Sequence, residues 1–180
     1  MKQTSTAQVA ISSIGEVNKS KFIGFCDASH GNLPNGGSQG GFVIFIQGSN
    51  NQLTALLWSS RRLKRVVKSA MAAETMILLE TIEHIFLLNE LLFEITGVRI
   101  PVVCATDSKQ LYDSVHSTKI VEDKQLHIDI CALREMLSKQ KFSIGLTDTS
   151  RQLAKSLTKG TASSELLMQV VGGKTVFFLT

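Results

Sequence analysis

KFIGFCDAS, residues 21–29, is a short apolar run that carries one carboxylate, Asp27, toward its far end. Alternation along it puts Phe22, Gly24 and Cys26 on one face of a strand and Ile23, Phe25 and Asp27 on the other. A second run, PVVCATD at 101–107, has the same form and closes on Asp107. Between the two, the apolar residues of 69–96 recur at intervals of three and four, among them Ile77, Leu78, Ile82, Ile85 and Leu92. That period predicts one long helix, and Glu74 lies in it. Two strands and a helix thus each present one acid, and three converging carboxylates suit a hard divalent cation such as magnesium, which takes oxygen ligands.

The flanking sequence supplies the topology. After Asp27, the stretch HGNLPNGGSQGG at 30–41 holds too much Gly and Asn for regular structure. Phe42 to Ile46 and Leu53 to Trp58 read as strands joined across QGSNNQ, a hairpin connection, so three antiparallel strands precede the helix. Gly97 stops that helix. Ser108 to Val115 predicts a brief helix beside Asp107. Lys124 to Lys139 predicts an amphipathic one on Leu126, Ile128, Ile130, Leu133 and Leu137, KFSIGLT at 141–147 a last strand, and Ser150 to Lys159 a last helix. Three strands, helix, strand, two helices, strand and helix call for a mixed sheet covered by helices.

A chain of 180 residues with 43% apolar and 19% charged content has the length for one well-cored domain. The expected boundaries are an irregular lead-in at 1–20, the domain at 21–171 and a tail at 172–180. Cys26, Cys104 and Cys131 are dispersed and form no CxxC pair, which argues against a disulfide framework or a zinc site and for a reducing intracellular compartment. The N-terminal twenty residues are polar, and the most apolar later segment, 85–95, is broken by Asn89, Glu90 and Glu94, so neither secretion nor a membrane span is expected. The net charge of +4 is modest but locally concentrated. Arg61, Arg62, Lys64, Arg65 and Lys68 lead directly into the Glu74 helix, where they are placed to contact nucleic-acid phosphates, the plain alternative being a solvated surface. Trp58, the sole tryptophan, is expected in the core.

Five blocks now stand in order: FCDAS (25–29), WSSRRLKRVVKSAMAAET (58–75), ATDSKQLYDSV (105–115), QLHIDICALREML (125–137) and RQLAKSLTKGTAS (151–163). Together they closely resemble the ribonuclease H domain of copia-type retrotransposon polyproteins, over about residues 22–171. The resemblance implies an α/β, ribonuclease H-like fold: a five-stranded mixed sheet in the order 3-2-1-4-5, helices on both faces, and an acidic site where strands one and four meet. It implies a pair of magnesium (or manganese) ions about 4 Å apart that clamp the scissile phosphate of an RNA strand paired to DNA. By residue matching, Asp27 would bridge both ions, Glu74 would bind one and orient the attack, and Asp107 would support the shared site. The substrate implied is RNA–DNA hybrid, recognised by groove shape and 2′-hydroxyls. The partners implied are reverse transcriptase or integrase domains of the same polyprotein.

The chain departs from the family at one position. Where the family reads QLAD before its LTK, this sequence reads QLAK, so Lys155 stands in place of a fourth carboxylate and changes the local charge by two units. Asp148 is expected to cap a helix rather than replace that ligand. The loop LTDTSRQ lacks the histidine that many ribonucleases H carry there; His84 and His127 read as partly buried or solvated structural residues, His30, three residues past Asp27, could approach the site, and none of the four, His116 included, reads as a metal ligand. Each acid also has a plain alternative: Asp27 a strand-end turn former, Glu74 a solvated helix residue, Asp107 the N-cap of the following helix. Three readings follow, the third of which, a structural domain within a larger reverse-transcriptase polyprotein, differs from the others only in context. Intact Asp27, Glu74 and Asp107 favour a hydrolase, whereas Lys155 favours a non-catalytic descendant serving as a nucleic-acid-binding or protein-interaction module.

Overall fold

A computed structural model of the chain describes residues 8–139 and 142–173. The KFIGFCDAS run is strand β1 (Lys21–Ser29). It pairs antiparallel with β2 (Gln39–Gln47) on one side and parallel with β4 (Val102–Thr106) on the other. Strand β3 (Leu53–Arg62) extends the antiparallel side and β5 (Phe142–Leu146) the parallel side, giving the mixed order β3-β2-β1-β4-β5 that the family resemblance implied. Strands β1 and β2 are buried on both faces, and so read as nearly continuous apolar runs. Most of edge strand β3 alternates between more and less covered residues.

Helices α1 (Ala70–Thr96), α2 (Lys109–Val115) and α3 (Lys124–Lys139) cover one face over a core built on Phe22, Cys26, Ile44, Ile82 and Ile130. The one-turn α4 (Lys155–Thr158) and α5 (Glu165–Val171) cover the other, over Phe25, Phe45, Leu153 and Val170. Helix α1 begins at Ser69, whose Oγ accepts the Ala72 amide at 3.1 Å, and ends at Gly97 with a left-handed φ of 71°. Its one buried amide, Asn89, binds both backbone groups of Ile100 at 2.8 and 3.0 Å and so ties the helix to the approach to β4. A side chain at Gly24 would collide with Ile85 and Thr81, so the glycine sets how closely α1 lies on β1.

Several expectations need correction. The Gly-rich stretch 30–41 is not wholly irregular: it holds a 3-10 turn (Pro34–Gly36), and Gln39, Gly40 and Gly41 open β2, paired with Ser29, Ala28 and Asp27. The single helix expected over Ser150 to Lys159 is a 3-10 turn (Thr149–Arg151) followed by one-turn α4, because Gln152 turns its side chain inward to bond the sheet backbone. Helix α5 was not foreseen, since seven residues hold less than two turns of period. Trp58 is 55% exposed rather than in the core: it lies on the edge strand and lines an apolar groove with Val43, Leu157 and Val171. Residues 8–20 are irregular apart from a 3-10 turn (Val17–Lys19), and they bond to the domain through Ala10 N to Val171 O at 2.8 Å and Ser12 N to Thr54 Oγ1 at 3.1 Å. Most of the expected tail, 174–180, lies outside the described residues. Among the described residues no helix is long and apolar enough to cross a membrane. The three cysteines are free, Cys26 and Cys104 buried and Cys131 exposed.

Candidate metal centre

Strands β1 and β4 pair from Phe22 with Val102 to Phe25 with Ala105 and then part. Asp27 and Asp107 stand two residues past the last pair, one at each side of a crevice at the carboxyl ends of parallel strands, where open α/β sheets place ligands. The buried Gln152 side chain spans the fork, its Nε2 donating to Cys26 O at 2.9 Å and to Ala105 O at 3.4 Å. On its other side Asp27 pairs with Gly41 of β2, and a side chain at Gly41 would strike Leu157 and Thr158. Glycine there lets α4 come within reach of Asp27. From the opposite face Glu74, in the second turn of α1, accepts the Ala28 amide through Oε1 at 3.2 Å. One carboxylate oxygen from each of Asp27, Glu74 and Asp107 then lies within 4.8 Å of the others.

This crowding is electrostatically costly. Asp27 is 1% and Glu74 8% exposed, with Asp107 half-buried at the mouth. Burial first, and the Asp27 charge second, push the Glu74 carboxyl up from 4.5 to about 8. Burial also raises Asp27, against the opposing pull of Thr158, whose hydroxyl donates to Oδ2, and of the Lys159 ammonium 3.3 Å from Oδ1. Glu74 Oε2 is buried with no hydrogen-bond partner. A desolvated carboxylate oxygen without a donor, set against two more carboxylates, is what a ligand atom looks like without its cation, and the all-oxygen donor set fits Mg2+ or Mn2+. The plain alternatives do not describe these acids. Ser108, not Asp107, caps α2, accepting the Leu111 amide at 3.4 Å; Asp27 lies inside β1; and Glu74 is buried.

Lys155 opens α4 and lines a shallow depression with Thr149, Ser150, Ala162 and Leu166. The contacts to Asp27 come instead from Thr158 and Lys159, which the sequence reading missed. Sequence spacing carried no signal for Lys159, because it lies just past the end of the one-turn α4 in extended backbone, where helical periodicity no longer applies. Asp148 caps the 3-10 turn, accepting the Ser150 amide at 2.7 Å. His30 contacts Val67 O at 3.1 Å, and His84 contacts Glu80 O at 2.8 Å with its ring against Phe42, so both have structural partners.

The five cations before α1 are not a free stripe. Arg61 pairs with Glu80, Arg65 with Asp129, and Lys68 with Asp123 at 3.6 Å. The Arg62 guanidinium lies against Gly37, and Lys64 is exposed. The Lys68–Asp123 pair is exposed enough to contribute only about 0–1 kcal/mol, whereas Glu80 and Asp129, at 13% and 14% exposure, are mostly covered.

No family model matches the chain, and no curated protein does. Solved structures match in fold. RNase H1 from the halophilic archaeon Halobacterium salinarum NRC-1 superposes with a TM-score of 0.56 at 16% identity, over 82% of this chain and 97% of that one. LC11-RNase H1 in complex with an RNA/DNA hybrid gives 0.59 at 16%, over 81% and 99%. The N-terminal RNase H domain of a Mycobacterium tuberculosis protein gives 0.53 at 15%, over 84% and 96%. With its strand order and two-sided helical cover, the chain has the ribonuclease H fold.

Proposed function

We propose that this chain is a ribonuclease H-type domain of copia-type retroelement descent that binds RNA–DNA hybrid and hydrolyses the RNA strand. One observation carries the reading: Asp27, Glu74 and Asp107 converge within 4.8 Å, and Glu74 keeps a buried oxygen without a partner. These three would hold Mg2+ or Mn2+, two ions if the site is complete. Bound divalent ions supply an activated water and stabilise the leaving oxygen of a phosphodiester. The chain's own share is placement. Gln152 fixes the fork between the two aspartates, and Thr158 orients the Asp27 carboxylate through Oδ2. Arg61, Arg62, Lys64, Arg65 and Lys68 would give up surface partners to grip phosphates, a contact that is indifferent to base sequence. That LC11-RNase H1, of the same fold, was solved on an RNA/DNA hybrid supports the choice of substrate. Reverse transcriptase or integrase segments of a polyprotein would be the natural neighbours.

The test is cleavage of end-labelled RNA in a hybrid, a double-stranded RNA and a single strand, with saturating magnesium. Cutting confined to the hybrid, and reduced at least about a hundredfold by Asp27→Asn, is the expected result. The second reading, a non-catalytic nucleic-acid-binding module, is favoured by one observation, Lys155 in place of a fourth carboxylate. Hybrid binding without cleavage would select it.

A further inference from the structure

The Asp27 carboxylate has two oxygens, and both are engaged by groups from the end of α4: Thr158 Oγ1 donates to Oδ2, and Lys159 Nζ lies 3.3 Å from Oδ1. Building on the metal-site reading above, we propose that Lys159 is a tethered counter-cation of the carboxylate cluster, which holds the place of a divalent ion and competes with it for Asp27.

Three features carry this. The Asp27 oxygens are buried and fixed, whereas the Lys159 side chain is 37% exposed and long enough to withdraw its ammonium into water. Three carboxylates within 4.8 Å of one another repel when ionised, and Lys159 is the cation whose charge bears on both Asp27 and Glu74. An ammonium 3.3 Å from Oδ1 and a divalent ion bound to that carboxylate would repel strongly in a partly desolvated crevice, so the two compete for it. Thr158 is neutral and sits on the other oxygen, so it need not leave. Metal loading is then an exchange: the ammonium departs as the ion arrives, and the empty site is never without a positive charge. Lys155, one turn earlier, is not the residue that sets this competition.

The experiment measures Mn2+ binding by titration calorimetry on the chelator-treated full chain, with melting temperature as a second readout. The proteins are the parent, Lys159→Met, Lys159→Gln, Lys159→Arg and Asp27→Asn. Removing the charge should tighten Mn2+ binding by about tenfold, near the lower end of typical site–site coupling. It should also lower the melting temperature without metal and enlarge the rise that Mn2+ produces. Arginine should behave like the parent. The two neutral variants are isosteric in length but differ in polarity, so a folding defect in one leaves the other to decide. Equal or weaker Mn2+ affinity in both neutral variants, with Asp27-dependent binding in the parent, overturns the competition and leaves the metal site standing. Absence of Asp27-dependent Mn2+ binding in the parent and in both neutral variants overturns the metal site and the competition together.

Discussion

Replacing Glu74 by glutamine removes, from metal-free protein, a carboxyl that burial and the Asp27 charge push from 4.5 up to about 8. The unfolded chain releases this proton near pH 4.5 while the folded chain retains it. Across that window the native state binds more protons, so stability falls as pH rises. At 1.36 kcal/mol for each pH unit between the two values, the loss reaches about 4 kcal/mol by pH 8. Asp27, raised in the same sense, steepens the slope. Glutamine keeps a carbonyl oxygen for the Ala28 amide and cannot ionise. The variant should therefore lie within about 1 kcal/mol of the parent at pH 5 and exceed it by about 3–4 kcal/mol at pH 8. Urea unfolding in a chelating buffer from pH 5 to pH 8 measures both slopes. For a domain whose whole stability is about 5–15 kcal/mol the difference is large. Parent stability that is flat or rises over this range, or a glutamine variant no more stable at pH 8, would refute the electrostatic account of the cluster.

Lys155→Asp places an acid where the family resemblance implies a fourth carboxylate, and if the proposed site is otherwise intact it should raise hybrid cleavage by at least about tenfold, equivalent to about 1.4 kcal/mol of barrier; Lys155→Ala alongside separates loss of charge from gain of a ligand. Joint replacement of Arg61, Arg62, Lys64 and Arg65 by alanine should weaken hybrid binding and flatten its dependence on salt, read by fluorescence anisotropy at several ionic strengths. Unchanged affinity and slope in that variant would remove the segment from the interface. Iodoacetamide should label the folded protein at Cys131 alone and the denatured protein at all three cysteines, by mass spectrometry, because burial drives the Cys26 thiol well up and Cys104 to about 12. Ready native labelling of Cys104 would contradict the packing of β4.

The parts of the fold that sequence made legible are those with a long or repeated signal. Helix α1 runs for seven turns between a serine cap and a left-handed glycine, and its apolar spacing shows through despite Asn89 and Glu74. Strands β1 and β4 were visible because both faces are buried. Asp27 and Asp107 stood out because each closes an apolar run, and Glu74 because it interrupts the long helical pattern. What escaped was short or depended on a partner. Helices α4 and α5 are held against the sheet by Leu153, Ala154 and Val170, and a four- or seven-residue piece has no period of its own to reveal that. Trp58 misled because its strand is an edge strand, and edge position is a property of the whole sheet. Lys159 was passed over for Lys155 because alignment with a motif says which residue replaces another, whereas the contact with Asp27 depends on where the turn of α4 ends.

Gln152 gives the fork between β1 and β4 a mechanical character. Beyond Phe25 and Ala105 no backbone pairing joins the two strands, yet the carbonyls of Cys26 and Ala105 converge on one side-chain amide, whose oxygen accepts the Ala154 amide in turn at 3.3 Å. Three segments meet at this one group: the strand bearing Asp27, the strand leading to Asp107, and the entry to the turn bearing Thr158 and Lys159. Fraying of any one of them strips hydrogen bonds from the others, so local opening here should be cooperative, and amide hydrogen exchange at 26–28, 105–107 and 153–155 is expected to report a single event. The strands that carry Asp27 and lead to Asp107 are in this way tied through a single side-chain amide, and the width of the crevice becomes a property of one amide plane.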